Sequence, residues 1–121
     1  MKLNRIPGKF SVCKLSSLEG IDFSREFVFL SKTDDEISLV CETDCVPPCA
    51  IAAEPNWQGL KIAGILDFGM LGVIAKIANL LAAANISIFV VSTYNTDYIF
   101  IKAENYEKTV AVLTQNGYVV A

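Results

Sequence analysis

Two short stretches of the chain carry the residue types that could hold a small molecule. In the first, Ser92-Thr93-Tyr94-Asn95-Thr96-Asp97 interrupts an apolar pattern, with residues 86–91 before it and 99–101 after it. Apolar flanks on both sides place its hydroxyls and the Asp97 carboxylate at the end of a sheet. The second is Asp67-Phe68-Gly69-Met70-Leu71-Gly72, which leads into a helical repeat. Gly69 and Gly72 let backbone N–H groups at a helix start approach an anion, where the helix dipole adds roughly 0.3 to 1 kcal/mol. An α-carboxylate suits that end. Asp97, beside Thr93 and Thr96, offers a charge-assisted acceptor for an ammonium or guanidinium. Each stretch also has a plain structural reading: a tight turn chosen for backbone geometry, and a strand connection built from Asn, Thr and Asp, which turns favour.

Other chemistry is weakly represented. The chain contains no histidine, which removes Ser-His-Asp and Cys-His catalysis together with the commonest metal ligand. Cys41, Cys45 and Cys49 recur every four residues, but the spacing is not C-x2-C, and Pro47 and Pro48 separate the last two. They read as thiols rather than metal ligands. Asp34-Asp35-Glu36 reads as a solvated hairpin tip rather than a cation site. Neither a metal nor another cofactor is expected.

The bulk properties bound the function further. At 121 residues the chain can bury one proper core, or two small supporting ones. It is 53% hydrophobic with a mean hydropathy of +0.45, yet its apolar runs break before the roughly 20 residues a bilayer needs. No membrane partner is expected. The start, MKLNRIPGKF, lacks the apolar core of a secretory signal, so the expected location is the cytoplasm, where the four cysteines stay reduced. A net charge of -3, with scattered Lys and Arg, makes nucleic acid a poor partner.

Elements able to position the two stretches follow from periodicity. Residues 9–15, 26–31 and 36–42 read as extended, the last two forming a hairpin around Lys32-Thr33-Asp34-Asp35. Residues 16–25 have no clear period and read as loop or one short helical turn. Pro47 and Pro48 end strand pairing, and Glu54-Pro55-Asn56 reads as a linker, dividing the chain into halves at residues 1–55 and 56–121. In the second half, residues 60–66 read as a strand and 73–84 as a helix. Ile74, Ile77, Ala78 and Leu81 face inward, Lys76, Asn79 and Ala83 outward, and Asn85 is a left-handed cap. Strands over 86–93 and 98–103 follow, then a helix capped by Asn105 with Tyr106, Val110 and Leu113 inward and Gly117 closing it, and a last strand over 118–120. The order βαββαβ predicts a ferredoxin-like α+β sandwich. Its strand over 86–91 is apolar on both faces, which predicts a homo-oligomer, at least a dimer.

With the elements placed, the run from Asp67 and Gly72 through Ile88 resembles the ACT domain pattern D-x-P-G-x-L-x-x-I-x-x-x-L-x-x-x-x-I-x-I. The run from Ile86 through Ile101 is similar to the ACT modules of CASTOR-type arginine sensors and their small bacterial relatives. Residues 32–41 followed by Val46-Pro47 resemble the abbreviated, strand-rich ACT-like half of those bacterial proteins. The resemblance implies a non-catalytic regulatory protein that binds a free amino acid between two ACT modules. By family position, one module would offer Ser87 and Ile88. The other would offer the Asp67, Gly69, Leu71 and Gly72 turn and the Thr93, Tyr94, Thr96 and Asp97 loop. Leu71 stands where the family has proline, and the turn between Asp67 and Gly72 is longer than the general pattern. The arginine-sensor likeness tilts the ligand toward arginine or lysine. Three function classes stand side by side: an amino-acid sensor, an oligomerisation scaffold of the same fold, and an enzyme for which the residues give no positive support. An RNA-binding sheet using Tyr98 and Phe100 shares the element order, but the acidic balance argues against it.

Overall fold

The computed structural model describes all 121 residues. They form two compact units, one of Gly8–Trp57 and one of Met1–Pro7 with Gln58–Ala121. The chain has seven strands, β1 (Lys2–Leu15), β2 (Phe29–Lys32), β3 (Ile37–Glu42), β4 (Ala50–Ile62), β5 (Ile88–Ser92), β6 (Asp97–Lys102) and β7 (Val119–Val120). Its two helices are α1 (Val73–Ala83) and α2 (Tyr106–Gln115).

In the Gly8–Trp57 unit the strand order is β2-β3-β1-β4. β2 and β3 form the expected hairpin, with Lys32 opposite Ile37, and the turn over residues 33–36 is closed by Thr33, whose N–H donates to the Glu36 carbonyl at 2.9 Å. β2 begins at Phe29, three residues later than periodicity suggested, and residues 16–25 hold no helix or strand. Cys13, Leu15, Leu39 and Cys41 make the core, joined by Ile21, Val28 and Val46. The expected linker Glu54-Pro55-Asn56 lies inside β4. Within this unit β4 has a partner only on its β1 side, so a residue without an N–H is tolerated. Asn56 supplies the irregularity, at φ 70°.

The Met1–Pro7 and Gln58–Ala121 unit is an α+β sandwich of the expected ferredoxin-like type. Its order is β7-β1-β4-β6-β5, with α1 and α2 on one face. Residues 1–7, expected with the first half, pair here: Lys2 and Leu3 run parallel to Val119 and Val120, and the Ala63 N–H donates to the Lys2 carbonyl. Leu3, Leu60, Ile62, Ile99 and Ile101 from the strands meet Ile77, Leu81, Tyr106 and Leu113 from the helices in one fully enclosed core. On α2 Thr109 is buried alongside Tyr106 and Leu113 and donates back to the Asn105 carbonyl at 2.8 Å, while Val110, expected inward, is half-buried. Gly59 sits where an added Cβ would lie 3.0 Å from the Ile6 and Phe100 side chains, close enough that they would have to give way by a few tenths of an ångström.

Both helices end alike. After α1 the Ile86 N–H reaches the Leu81 carbonyl and the Asn85 N–H the Ala82 carbonyl, with Asn85 at φ 60°. After α2 the Tyr118 N–H reaches Leu113 and the Gly117 N–H reaches Thr114, with Gly117 at φ 89°. These are Schellman closures, and the left-handed residues are those the sequence pointed to. Asn105 occupies the N-cap position of α2, but its side chain makes no capping bond. β4 stops at Ile62 rather than at 66, because Gly64 at φ 86° turns the chain out of the pleat.

Candidate functional site

A cleft of about 340 Å³ opens where residues 63–72, the β5–β6 turn and the first turn of α1 converge. Each wall has a local cause. Gly72 is the N-cap of α1 at φ 74°, ψ 9°, a left-handed conformation that costs any residue with a Cβ roughly 1 to 2 kcal/mol. Having no side chain, it cannot cap the helix, and the first turn carries no acidic residue. The first intrahelical bond runs from the Lys76 N–H to the Gly72 carbonyl. The N–H groups of Val73, Ile74 and Ala75 therefore lack helical partners, and all three residues line the cleft.

The turn before the helix is shaped by Asp67. Its Oδ1 accepts the Gly69 N–H at 2.8 Å and its carbonyl accepts the Met70 N–H at 3.0 Å, an Asx turn. The opposite wall is the hairpin turn over residues 93–96, in which the Thr93 N–H and Oγ1 both donate to the Thr96 carbonyl at 2.9 Å. Thr96 is 3% exposed, and its Oγ1 donates to the Ile62 carbonyl at 2.7 Å, fixing the turn to the end of β4. The Leu66 N–H donates to the Asn95 carbonyl at 2.7 Å, which ties the two loops together. Asp97 opens β6 opposite Ser92; it is half-buried and makes no ion pair.

The cleft thus gathers Asp67, Gly72, Thr93, Tyr94, Thr96 and Asp97 of the residues singled out in the sequence. Gly69 is not among its lining residues, and its N–H is engaged by Asp67 rather than open to an anion. Leu71 is 93% exposed and borders a neighbouring groove with Lys76 and Tyr118. Ser87 and Ile88 lie at the other end of β5, in a shallow groove with Ala78 and Ala82. Four strand steps from Ser92 to Ile88 span roughly 13 Å, so one copy of the chain does not bring them to this cleft. Sequence reasoning missed Phe68 and Ser92 as lining residues. An aromatic residue amid small turn residues was the available signal for Phe68, whose ring meets that of Tyr94 edge-on, with centroids 5.2 Å apart at 84°.

The cysteines do not assemble into one set. Cys41 is buried beside Cys13, and burial, with the neighbouring Cys13 thiol, pushes it up to about 12; burial also raises Cys13. Cys49 Sγ contacts the carbonyls of Ser17 and Glu19. Cys45 approaches Asp44 and Glu42, but the Arg25 guanidinium already donates to Glu42 at 2.9 Å and to Asp44 at 3.3 Å. A charged side chain holds the place a cation would take.

None of the curated proteins matches the chain. Among solved structures it is similar to an X-ray structure of an Agrobacterium tumefaciens protein, at 31% identity and a TM-score of 0.86, over 99% of this chain and 91% of that one. It is also similar to the ligand-free regulatory subunit of aspartate kinase from Thermus thermophilus, at 10% identity and a TM-score of 0.62, over 93% and 95% of the two chains. Aspartate kinase from Clostridium acetobutylicum gives the same TM-score at 17% identity, over 93% of this chain and 33% of that one. Those two likenesses speak for the fold. A family model of an N-terminal domain matches residues 8–48, and the model described as ACT domain matches residues 52–115, over half the chain. On that match, carried by a βαββαβ unit with the helices on one sheet face, the protein belongs to the ACT domain family.

Proposed function

We propose that this chain is a non-catalytic, amino-acid-binding regulatory protein. One observation carries the reading: a single cleft joins the uncapped N–H groups at the start of α1 to the unpaired Asp97 carboxylate. The first suits an α-carboxylate and the second an ammonium or a basic side chain. A volume of about 340 Å³ falls within the range of small-ligand sites. Family membership and the likeness to an aspartate kinase regulatory subunit support a regulatory role. Asp67 and Gly72 shape the carboxylate end, and Thr93, Tyr94 and Thr96 hold the Asp97 end. Ser87 and Ile88 complete the site from a second copy, which makes the ligand a bridge within a homodimer. Gly69 and Leu71 act by shaping the turn.

The Gly8–Trp57 unit is, on the same reading, an abbreviated ACT-like half. β2-β3 repeats the local design of β5-β6. Each turn opens on a threonine, Thr33 or Thr93, bonded to the carbonyl three residues on, and β3 and β6 each run into a short 3-10 turn, Thr43–Cys45 and Ala103–Asn105.

A thermal-shift panel of the amino acids tests the binding reading. A ligand at 100 times its Kd adds about 2.7 kcal/mol to the folded state, about 11 °C for a chain of 121 residues. A flat panel refutes it. A scaffold without a ligand is the second reading, favoured by β5, whose Ile88, Phe89, Val90 and Val91 are all partly exposed at the end of the strand order in their unit. It predicts a dimer with no shift from any amino acid.

A further inference from the structure

Two large aromatic side chains stand at the mouth of the cleft in an arrangement that burial does not explain. Phe68 is 75% exposed and Tyr94 is 81% exposed. They come from separate loops, yet their rings meet edge-on at 5.2 Å, and the Leu66 to Asn95 backbone bond holds those loops together. Apolar rings left in water have given up the main favourable term of folding, so their pairing is accounted for by something that covers them. Charge says what that is. Of all the residues lining the cleft, only Asp67 and Asp97 are charged, and no lysine or arginine faces in. A wall of two π-faces backed by two carboxylates attracts a cation and repels an anion.

We propose that Phe68 and Tyr94 are specificity-determining residues that close over the cationic side chain of the ligand, selecting a guanidinium or ammonium over a neutral or acidic group. This rests on the amino-acid reading above. The α-carboxylate stays at the start of α1, and the side-chain cation lies between the ring pair and Asp97. Gly64 at φ 86° and Gly72 at φ 74° bound the segment that carries Phe68, giving its backbone the freedom to close.

The test is a calorimetric titration of the full chain with arginine, lysine, their neutral counterparts citrulline and norleucine, glutamate, and agmatine, which has the guanidinium but no carboxylate. Arginine or lysine binds at least tenfold more tightly than its neutral counterpart. Phe68→Leu and Tyr94→Leu each weaken the cationic ligand about three- to thirtyfold, the span of a single cation–π contact. Both leave the neutral ligand within twofold, and Tyr94→Phe, which keeps the ring, stays close to wild type. Both positions are exposed, so the variants fold, and circular dichroism checks this. Equal binding of charged and neutral ligands overturns the proposal. So does a uniform loss across all ligands in the leucine variants, which would make the rings a plain apolar wall. Agmatine separates the two levels: if it binds and no amino acid does, cation selection stands and the amino-acid reading falls, whereas silence from the whole panel removes both.

Discussion

Replacing Thr96 by valine probes the joint on which the cleft depends. The side chain is 3% exposed and its hydroxyl donates to the Ile62 carbonyl at 2.7 Å. Valine keeps the volume and removes the donor. The loss has two parts, a net hydrogen bond of about 1 kcal/mol and the cost of an acceptor left facing a methyl group, which together come to about 1 to 3 kcal/mol. An unfolding entropy of about 2.1 cal/mol/K per residue gives about 0.25 kcal/mol/K over 121 residues. The melting temperature should therefore fall by about 4 to 12 °C. Thr93→Val is the comparison, because that hydroxyl shares the Thr96 carbonyl with a backbone N–H and lies in an exposed turn; it should cost less than about 1 kcal/mol. Scanning calorimetry of both variants checks the difference. If Thr96→Val melts within a degree of wild type, the turn is not anchored through this bond, and the placement of Asp97 loses its stated cause.

Alkaline pH should unfold the protein earlier than its ordinary thiols would suggest. Cys41 is held near 12 against an ordinary 9.0, and Cys13 and Tyr106 are raised as well, all chiefly by burial. A raised folded value means that the unfolded chain releases protons first, so this stabilisation is complete below pH 9 and is lost as pH climbs toward 12. Urea midpoints at pH 7.5 and 10.5, in reductant, should show the drop, and Cys41→Val should flatten it; parallel pH profiles for the two proteins would refute the assignment. Sedimentation at micromolar concentration should give at least a dimer of the 13.2 kDa chain, and a clean monomer throughout would take away the proposed contribution of Ser87 and Ile88.

How much of this was legible in the sequence depends on whether the cause is local. Asn85 and Gly117 were readable because a left-handed closure needs residues that tolerate positive φ. The inward row of α1 was readable because its period is short-range, and Ile77 and Leu81 are indeed fully enclosed. The role of residues 1–7 was not, since Lys2 and Leu3 pair with Val119 and Val120 across the whole chain. Nor was the fate of Pro55, whose place in β4 depends on which strand lies on which side. At the site, composition marked the 67–72 and 92–97 runs as special, and the structure brings them to one cleft. It could not say that the Gly69 N–H would be taken by Asp67, or that Phe68 would meet Tyr94, because both depend on how an irregular ten-residue connection folds.

The central claim is that the cleft binds an amino acid through Asp97. Calorimetric titration of wild type and Asp97→Ala with acidic, neutral and basic amino acids tests it most directly. The carboxylate is half-buried at the start of β6 and makes no ion pair, so its removal should spare the fold. Losing a charge-assisted bond of about 1.5 to 3 kcal/mol should weaken binding roughly ten- to a hundredfold, while Lys76→Ala, on the exposed face of α1, changes little. Unchanged affinity in Asp97→Ala would take that residue out of the site, and no heat from any amino acid with wild type would contradict the account.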